Sequence, residues 1–139
     1  MIWTHAKLAS AAVTILAVLF CLYTSMVAGA MRARHKIAAP AVTGAPEFER
    51  AYRVQMNTLE QFALFLPLLW ISTMLPIEMP YIAPAFGLVW VVGRILYMRG
   101  YLADPAKRSL GFNIGAAAVI ALLVLSIISI CRAWPAVSA

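Results

Sequence analysis

Two short stretches hold most of the residues in this chain that could do chemistry. Arg53, Asn57 and Glu60 are spaced four and three apart, and Arg94, Tyr97 and Tyr101 three and four. On an α-helix either spacing gathers the side chains into a narrow strip on one face. Arg108 follows shortly after. Arg32, Arg50, Arg53, Arg94 and Arg108 stand against Glu49 and Glu60, an excess of cations over carboxylates. Two readings compete. An internal ion-pair network, Arg53 with Glu60 and Arg94 with Glu49, would lock two helices together, although such pairs stabilise weakly because desolvation can exceed the Coulombic gain. A ligand site would account for the surplus, the missing counter-charge being an anion from outside the chain.

The residue types describe that anion. Arginine forks match carboxylates, tyrosine hydroxyls add donors, and a carboxylate such as Glu60 suits an ammonium group. The implied molecule carries at least two negative charges and one positive charge. Glutathione, with its two carboxylates, amine and thiol, meets that description. Other chemistry is sparse. His5 and His35 have no second ligand at zinc spacing, so no metal site is expected. Neither a GxSxG elbow nor a glycine-rich phosphate loop occurs. Cys21 and Cys131 lie in apolar stretches and read as small core residues, not as a bridge.

What must position these residues is a membrane fold. Of 139 residues, 64% are hydrophobic and 12% charged, with mean hydropathy +0.89, against about 45–50% apolar and about 25% charged in soluble domains. That excludes an ordinary cytosolic domain, a disordered tail and a disulfide-stapled secreted module. The net charge of +6 would suggest nucleic acid in a soluble protein. Here it marks membrane-flanking loops, and no nucleic-acid partner is expected.

Crossing a hydrocarbon core takes about 20 apolar residues of helix, with every backbone group paired internally. Segments 8–30, 56–75, 81–98 and 110–131 meet that requirement. The chain therefore predicts an all-α membrane protein of one domain over 1–139, a four-transmembrane-helix bundle with helices at about 8–30, 47–75, 81–101 and 106–132. The first segment is too long for a signal peptide and is followed by the basic cluster Arg32, Arg34, His35 and Lys36, so it reads as a retained helix. Pro40, Gly44 and Pro46 punctuate the first loop, and Pro76, Pro80 and Pro84 a short turn. Asp104 and Pro105 read as an N-cap and first-turn proline opening the last helix. Pro67 should kink the second helix and free the carbonyl of Ala63. Gly111 and Gly115 have the spacing of close helix contact.

Charge asymmetry sets the orientation. The loops holding Arg32, Arg34, Lys36, Arg50 and Arg53, and Arg99, Lys107 and Arg108, are far more basic than the opposite side, which has Lys7, Arg132 and Glu78. Positive-inside logic puts both basic loops in the cytoplasm, both termini outside, and the polar strips at the inner boundary of the membrane. Trp3, Trp70, Trp134 and Tyr81 would sit at the outer interface. A chain this compact suits a bacterial inner membrane, with periplasmic termini and a cytoplasm-facing active site.

Residues 47–60 (EFERAYRVQMNTLE) resemble a signature of the MAPEG family, the membrane-associated proteins in eicosanoid and glutathione metabolism. Residues 93–97 (GRILY), Gly100-Tyr101 and Arg108-Ser109 resemble its second block. The likeness covers the four-helix layout and is closest to the leukotriene-synthase-like and microsomal glutathione transferase branch. It implies a homotrimer, with a glutathione pocket between neighbouring subunits that opens toward the cytoplasmic face and the lipid. By position, Arg53, Asn57, Glu60, Tyr97 and Tyr101, with Arg94 beside them, look like glutathione-binding residues of one subunit. Arg32 and Gln55 would reach in from its neighbour. The helical wheel agrees, since Gln55 lies about 200° from Arg53.

Arg108 matches the arginine that in the family stabilises the glutathione thiolate. The thiolate is the nucleophile, and a nearby guanidinium favours it. Lowering a thiol pKa by two units from about 8.5 takes roughly 2.7 kcal/mol, which one close arginine at intermediate dielectric can supply. Three departures from the family pattern stand out. Gln61 replaces a tyrosine, Ala33 replaces an arginine, and loop 31–44 has no Asp or Glu, which speaks against isomerase chemistry.

The sequence thus predicts an integral membrane glutathione transferase that uses glutathione as co-substrate. Its partners would be lipophilic electrophiles, or lipid hydroperoxides that it reduces, drawn from the surrounding membrane lipid for detoxification or lipid metabolism. A non-catalytic lipid-binding or scaffold member is the alternative, and loss of the polar strips would mark it. A transporter would need a polar file through the whole membrane, whereas these polar residues stop at one leaflet.

Overall fold

The structure, a computed structural model, describes residues 4–74 and 79–137. The expectations for Trp3, Leu75, Pro76 and Glu78 lie outside the described residues. Four long helices follow one another: α1 (His5–Arg34), α2 (Pro46–Met74), α3 (Ile82–Ala103) and α4 (Ser109–Val137), with a 3-10 turn at Pro105–Arg108 leading into α4. No strand occurs among the described residues. At 1.5 Å rise per residue, the helices of α1 and α4, 30 and 29 residues long, exceed the hydrocarbon thickness. Among the described residues three segments are long and apolar enough to cross a membrane: His5–Arg34, Ile82–Ala103 and Pro105–Trp134. α2 is not one of them, because its first half carries Glu47, Glu49, Arg50, Arg53, Asn57 and Glu60.

The bundle is sorted as lipid would sort it. Inside, the Trp90 indole stacks on Phe65 with centroids 4.1 Å apart, amid Val13, Ala17, Leu69, Ala118 and Leu122. Outside, α1 presents Ile15, Leu19 and Leu22, and α4 presents Ile120, Leu123 and Ile127, all exposed. A soluble fold would bury such faces. Hydroxyl pairs tie the helices together, Ser10 Oγ with Thr73 Oγ1 at 2.8 Å and Ser72 Oγ with Ser126 Oγ at 2.9 Å, as expected where no water competes. Of the two cysteines, Cys21 is buried and Cys131 exposed, so only the first is a core residue of the bundle.

The approach to α4 departs from expectation. Asp104 is indeed a cap, its carboxylate accepting the Ala106 N–H at 2.9 Å, and Pro105 follows. The cap opens a 3-10 turn, however, and α4 begins at Ser109 instead of near 106. The turn folds back onto α3, and a Cβ at Gly100 would collide with the Lys107 carbonyl oxygen. Glycine at 100 therefore permits the turn that carries Arg108 toward α3.

Candidate functional site

α2 begins at Pro46, with Glu47 and Glu49 in its first turn, where acidic groups complement the helix dipole. Phe48, Ala51, Val54, Thr58, Phe65, Leu69 and Ser72 form its buried side, a 3.6-residue repeat pressed into the bundle. That packing turns Arg53, Asn57 and Glu60 the other way.

They open onto a cavity of about 710 Å³, within the range of small-molecule sites. Arg53, Met56, Asn57 and Glu60 line it from α2, and Tyr97 and Tyr101 from α3. Arg108 closes it from the turn, and Ser109, Phe112 and Asn113 from α4. The structure thus brings together Arg53, Asn57, Glu60, Tyr97, Tyr101 and Arg108. Tyr97 and Tyr101 lie with ring centroids 5.5 Å apart, and the Arg108 guanidinium carbon is 5.7 Å from the Tyr101 ring centroid, inside cation–π range. Asn57 Nδ2 reaches Glu60 Oε2 only at 3.5 Å, too long to commit either group.

The locking ion pairs do not form. Glu49 Oε1 instead accepts the Gly44 N–H at 2.8 Å, tying α2 to the preceding loop. Arg94 Nη2 donates to Thr58 Oγ1 at 2.9 Å. Away from the cavity, His35 Nε2 lies 4.0 Å from Glu47 Oε2. The surplus of charge persists: Arg53 and Arg108 face a cavity whose lining includes one carboxylate, Glu60.

Arg94 does not line the cavity. Its residue is 1% exposed, its guanidinium carbon sits 4.1 Å from the Tyr97 ring centroid, and its Nε has no partner. The reason is depth. Arg94 is one turn nearer the start of α3, and helical side chains lean toward the helix N-terminus, so it lies beneath Tyr97. Arg32 and Gln55 are also absent from the lining. Arg32 Nη1 donates to the Ala41 carbonyl at 2.8 Å and its guanidinium lies 4.6 Å from the Phe48 centroid. Gln55 Nε2 donates to Ser25 Oγ at 3.2 Å, on the α1 side of α2.

Sequence reasoning missed Met56, Phe112 and Asn113. The available signal was spacing, since Ser109, Phe112 and Asn113 are three and four apart and share a face. A second cavity of about 590 Å³ adjoins the first, sharing Arg53 and Tyr101 and adding Arg50 and Lys107. Arg50 Nη1 there donates to the Leu102 and Ala103 carbonyls at 3.1 and 3.2 Å, satisfying the orphan acceptors at the end of α3.

A bundle with lipid-suited helices and a polar cavity at one end, lined by more guanidinium than carboxylate, defines the class: a helical membrane protein. The chain belongs to the MAPEG family, which matches residues 10–128. It is 42% identical over 120 residues to an uncharacterized protein of Synechocystis, covering 86% of each chain. It is 38% identical over 115 residues to human microsomal glutathione S-transferase 2, covering 83% of this chain and 76% of that one. To leukotriene C4 synthase of Cavia porcellus it is 38% identical over 116 residues, covering 84% of this chain and 76% of that one.

Proposed function

We propose that the chain is a glutathione transferase that activates glutathione as a thiolate for attack on lipophilic electrophiles taken from the bilayer. The observation that carries this is the cavity in which Arg53, Asn57, Glu60, Tyr97, Tyr101 and Arg108 converge with guanidinium in excess over carboxylate. Relatives named as a glutathione S-transferase and a leukotriene C4 synthase support the same ligand.

In this reading Arg53 forks a glutathione carboxylate, Glu60 takes the ammonium, and Asn57, Tyr97 and Tyr101 hydrogen-bond the peptide. Arg94 fixes Tyr97 from below. Arg108 stabilises the sulfur as thiolate, which forms the new carbon–sulfur bond while the electrophile's leaving group or π pair departs. Arg32 and Gln55 reach the ligand from the neighbouring subunit of a homotrimer. Arg32 has donors left beyond its bond to Ala41. α2 makes the fourth crossing, its polar half at the cytoplasmic boundary and the termini outside, as in a bacterial inner membrane. The same thiolate would reduce lipid hydroperoxides, two glutathiones yielding the disulfide, the lipid alcohol and water.

Replacing Arg53 or Glu60 with alanine removes one charge-assisted hydrogen bond, worth about 1.5–3 kcal/mol. Glutathione affinity is expected to fall by roughly 10- to 100-fold, with kcat less affected. Calorimetry on the detergent-purified protein measures this. Wild-type protein that takes up no glutathione at millimolar concentration would remove the reading altogether and leave the scaffold alternative.

A further inference from the structure

The wall of the cavity that α4 forms has a different chemistry. α2 and the turn supply every charged group and α3 two tyrosines, whereas α4 supplies Ser109, Phe112 and Asn113. Asn113 is out of keeping with its helix. Between Leu110 and Ile130 the other polar side chains are Ser126 and Ser129. Both are buried and donate to carbonyls one turn back, at 2.8 and 2.7 Å. Asn113 is exposed and makes no hydrogen bond within the described chain. A side-chain amide in so apolar a helix is costly unless something outside the chain engages it. It stands one turn past Ser109 on the same face, with Phe112 between them, and five residues beyond the arginine assigned to the thiolate.

We propose that Asn113 is a specificity-determining residue, its amide donating to an uncharged carbonyl oxygen, and that the second substrate is a lipophilic α,β-unsaturated carbonyl compound. This rests on the transferase reading and adds the electrophile to it. The wall lacks charge, so it fits a neutral molecule; Met56 and Phe112 fit its apolar body. Thiolate addition forms a bond from sulfur to the β-carbon. The π pair shifts toward the carbonyl, and the negative charge arrives on its oxygen. The Asn113 N–H, assisted by the Ser109 hydroxyl, meets that charge as it develops. A proton from water at the α-carbon then completes the thioether, and no other reactant is consumed.

The test compares two electrophiles on purified full-length protein with glutathione. trans-2-Nonenal develops charge on oxygen, and benzyl chloride expels chloride and does not. Asn113→Leu keeps the size and removes the hydrogen bond, and Asn113→Met does the same with a flexible chain, so neither adds a charge beside the thiolate. Both variants are expected to lose about tenfold or more in kcat/KM for nonenal. Benzyl chloride turnover should stay within about twofold, and the thiolate absorbance of bound glutathione should be unchanged. Equal losses for both electrophiles, or none for nonenal, overturn the assignment. A selective loss of cumene hydroperoxide reduction with nonenal unaffected does so too. In each of those cases the thiolate signal persists and the transferase reading survives. Absence of that signal in the wild type sinks both.

Discussion

Arg108→Ala is expected to cut turnover by roughly 25-fold at pH 7, approaching a hundredfold below about pH 6, while changing glutathione affinity only a few-fold. The size follows from the thiol: restoring its ordinary pKa of about 8.5 from a value two units lower forfeits roughly 2.7 kcal/mol of thiolate stabilisation. Arg108 suits the task because nothing else claims it. It is exposed and lines the cavity, no ion pair holds it among the described residues, and its guanidinium carbon lies 5.7 Å from the Tyr101 ring centroid. In the proposed site the peptide part of glutathione is held by Arg53, Asn57, Glu60 and the tyrosines, so affinity should largely survive. The pH dependence carries the sign. Wild-type turnover should be level above about pH 7, where the bound thiol has already lost its proton. The variant's should keep climbing toward about pH 8.5 and above. Arg108→Lys restores a point charge without the planar fork and should recover part of the rate. A wild-type pH profile from the alanine variant would remove Arg108 from its role.

Much of this was legible beforehand because the polar strips are periodic. Arg53, Asn57 and Glu60 keep helical spacing inside an apolar segment, and burying Phe48, Val54 and Thr58 on the other side leaves them one direction to face. What the sequence hid depends on depth and on close backbone contact. Arg94 shares a strip with Tyr97, yet one turn of helix separates a cavity wall from the interior, and a linear pattern carries no depth coordinate. The expected ion pairs failed for a related reason. Glu49 had a nearer donor in the Gly44 N–H, and local side-chain-to-backbone bonds outcompete distant charges. The start of α4 was misjudged because Asp104-Pro105 caps a 3-10 turn as readily as an α-helix. Asn113 went unnoticed since α4 reads as uniformly apolar.

Gly111→Val should be the most damaging single change to the fold. α3 and α4 touch backbone to backbone: a Cβ at Gly111 would overlap the Tyr97 backbone nitrogen and Cα, and one at Gly93 would come within 2.7 Å of the Gly115 nitrogen. Atoms of a main chain cannot step aside as a side-chain tip can, so valine must push α4 off α3 at the level of Tyr97. Overpacking of this kind costs typically 1–3 kcal/mol, occasionally more, and rigid contact on both sides puts this site at the upper end. The same displacement separates Tyr97 from Phe112, whose ring centroids lie 6.4 Å apart across the seam. It also moves Arg108 relative to Tyr101, so glutathione binding should fail along with stability. Gly115→Ala is the control, because a Cβ there meets only Arg94 Cδ, at an ordinary 3.8 Å, and the melting temperature should barely move. Thermal unfolding of the two purified variants, with and without glutathione, separates the cases. A Gly111→Val protein that melts with the wild type and still gains stability from glutathione would show that the α3–α4 seam does not position the site.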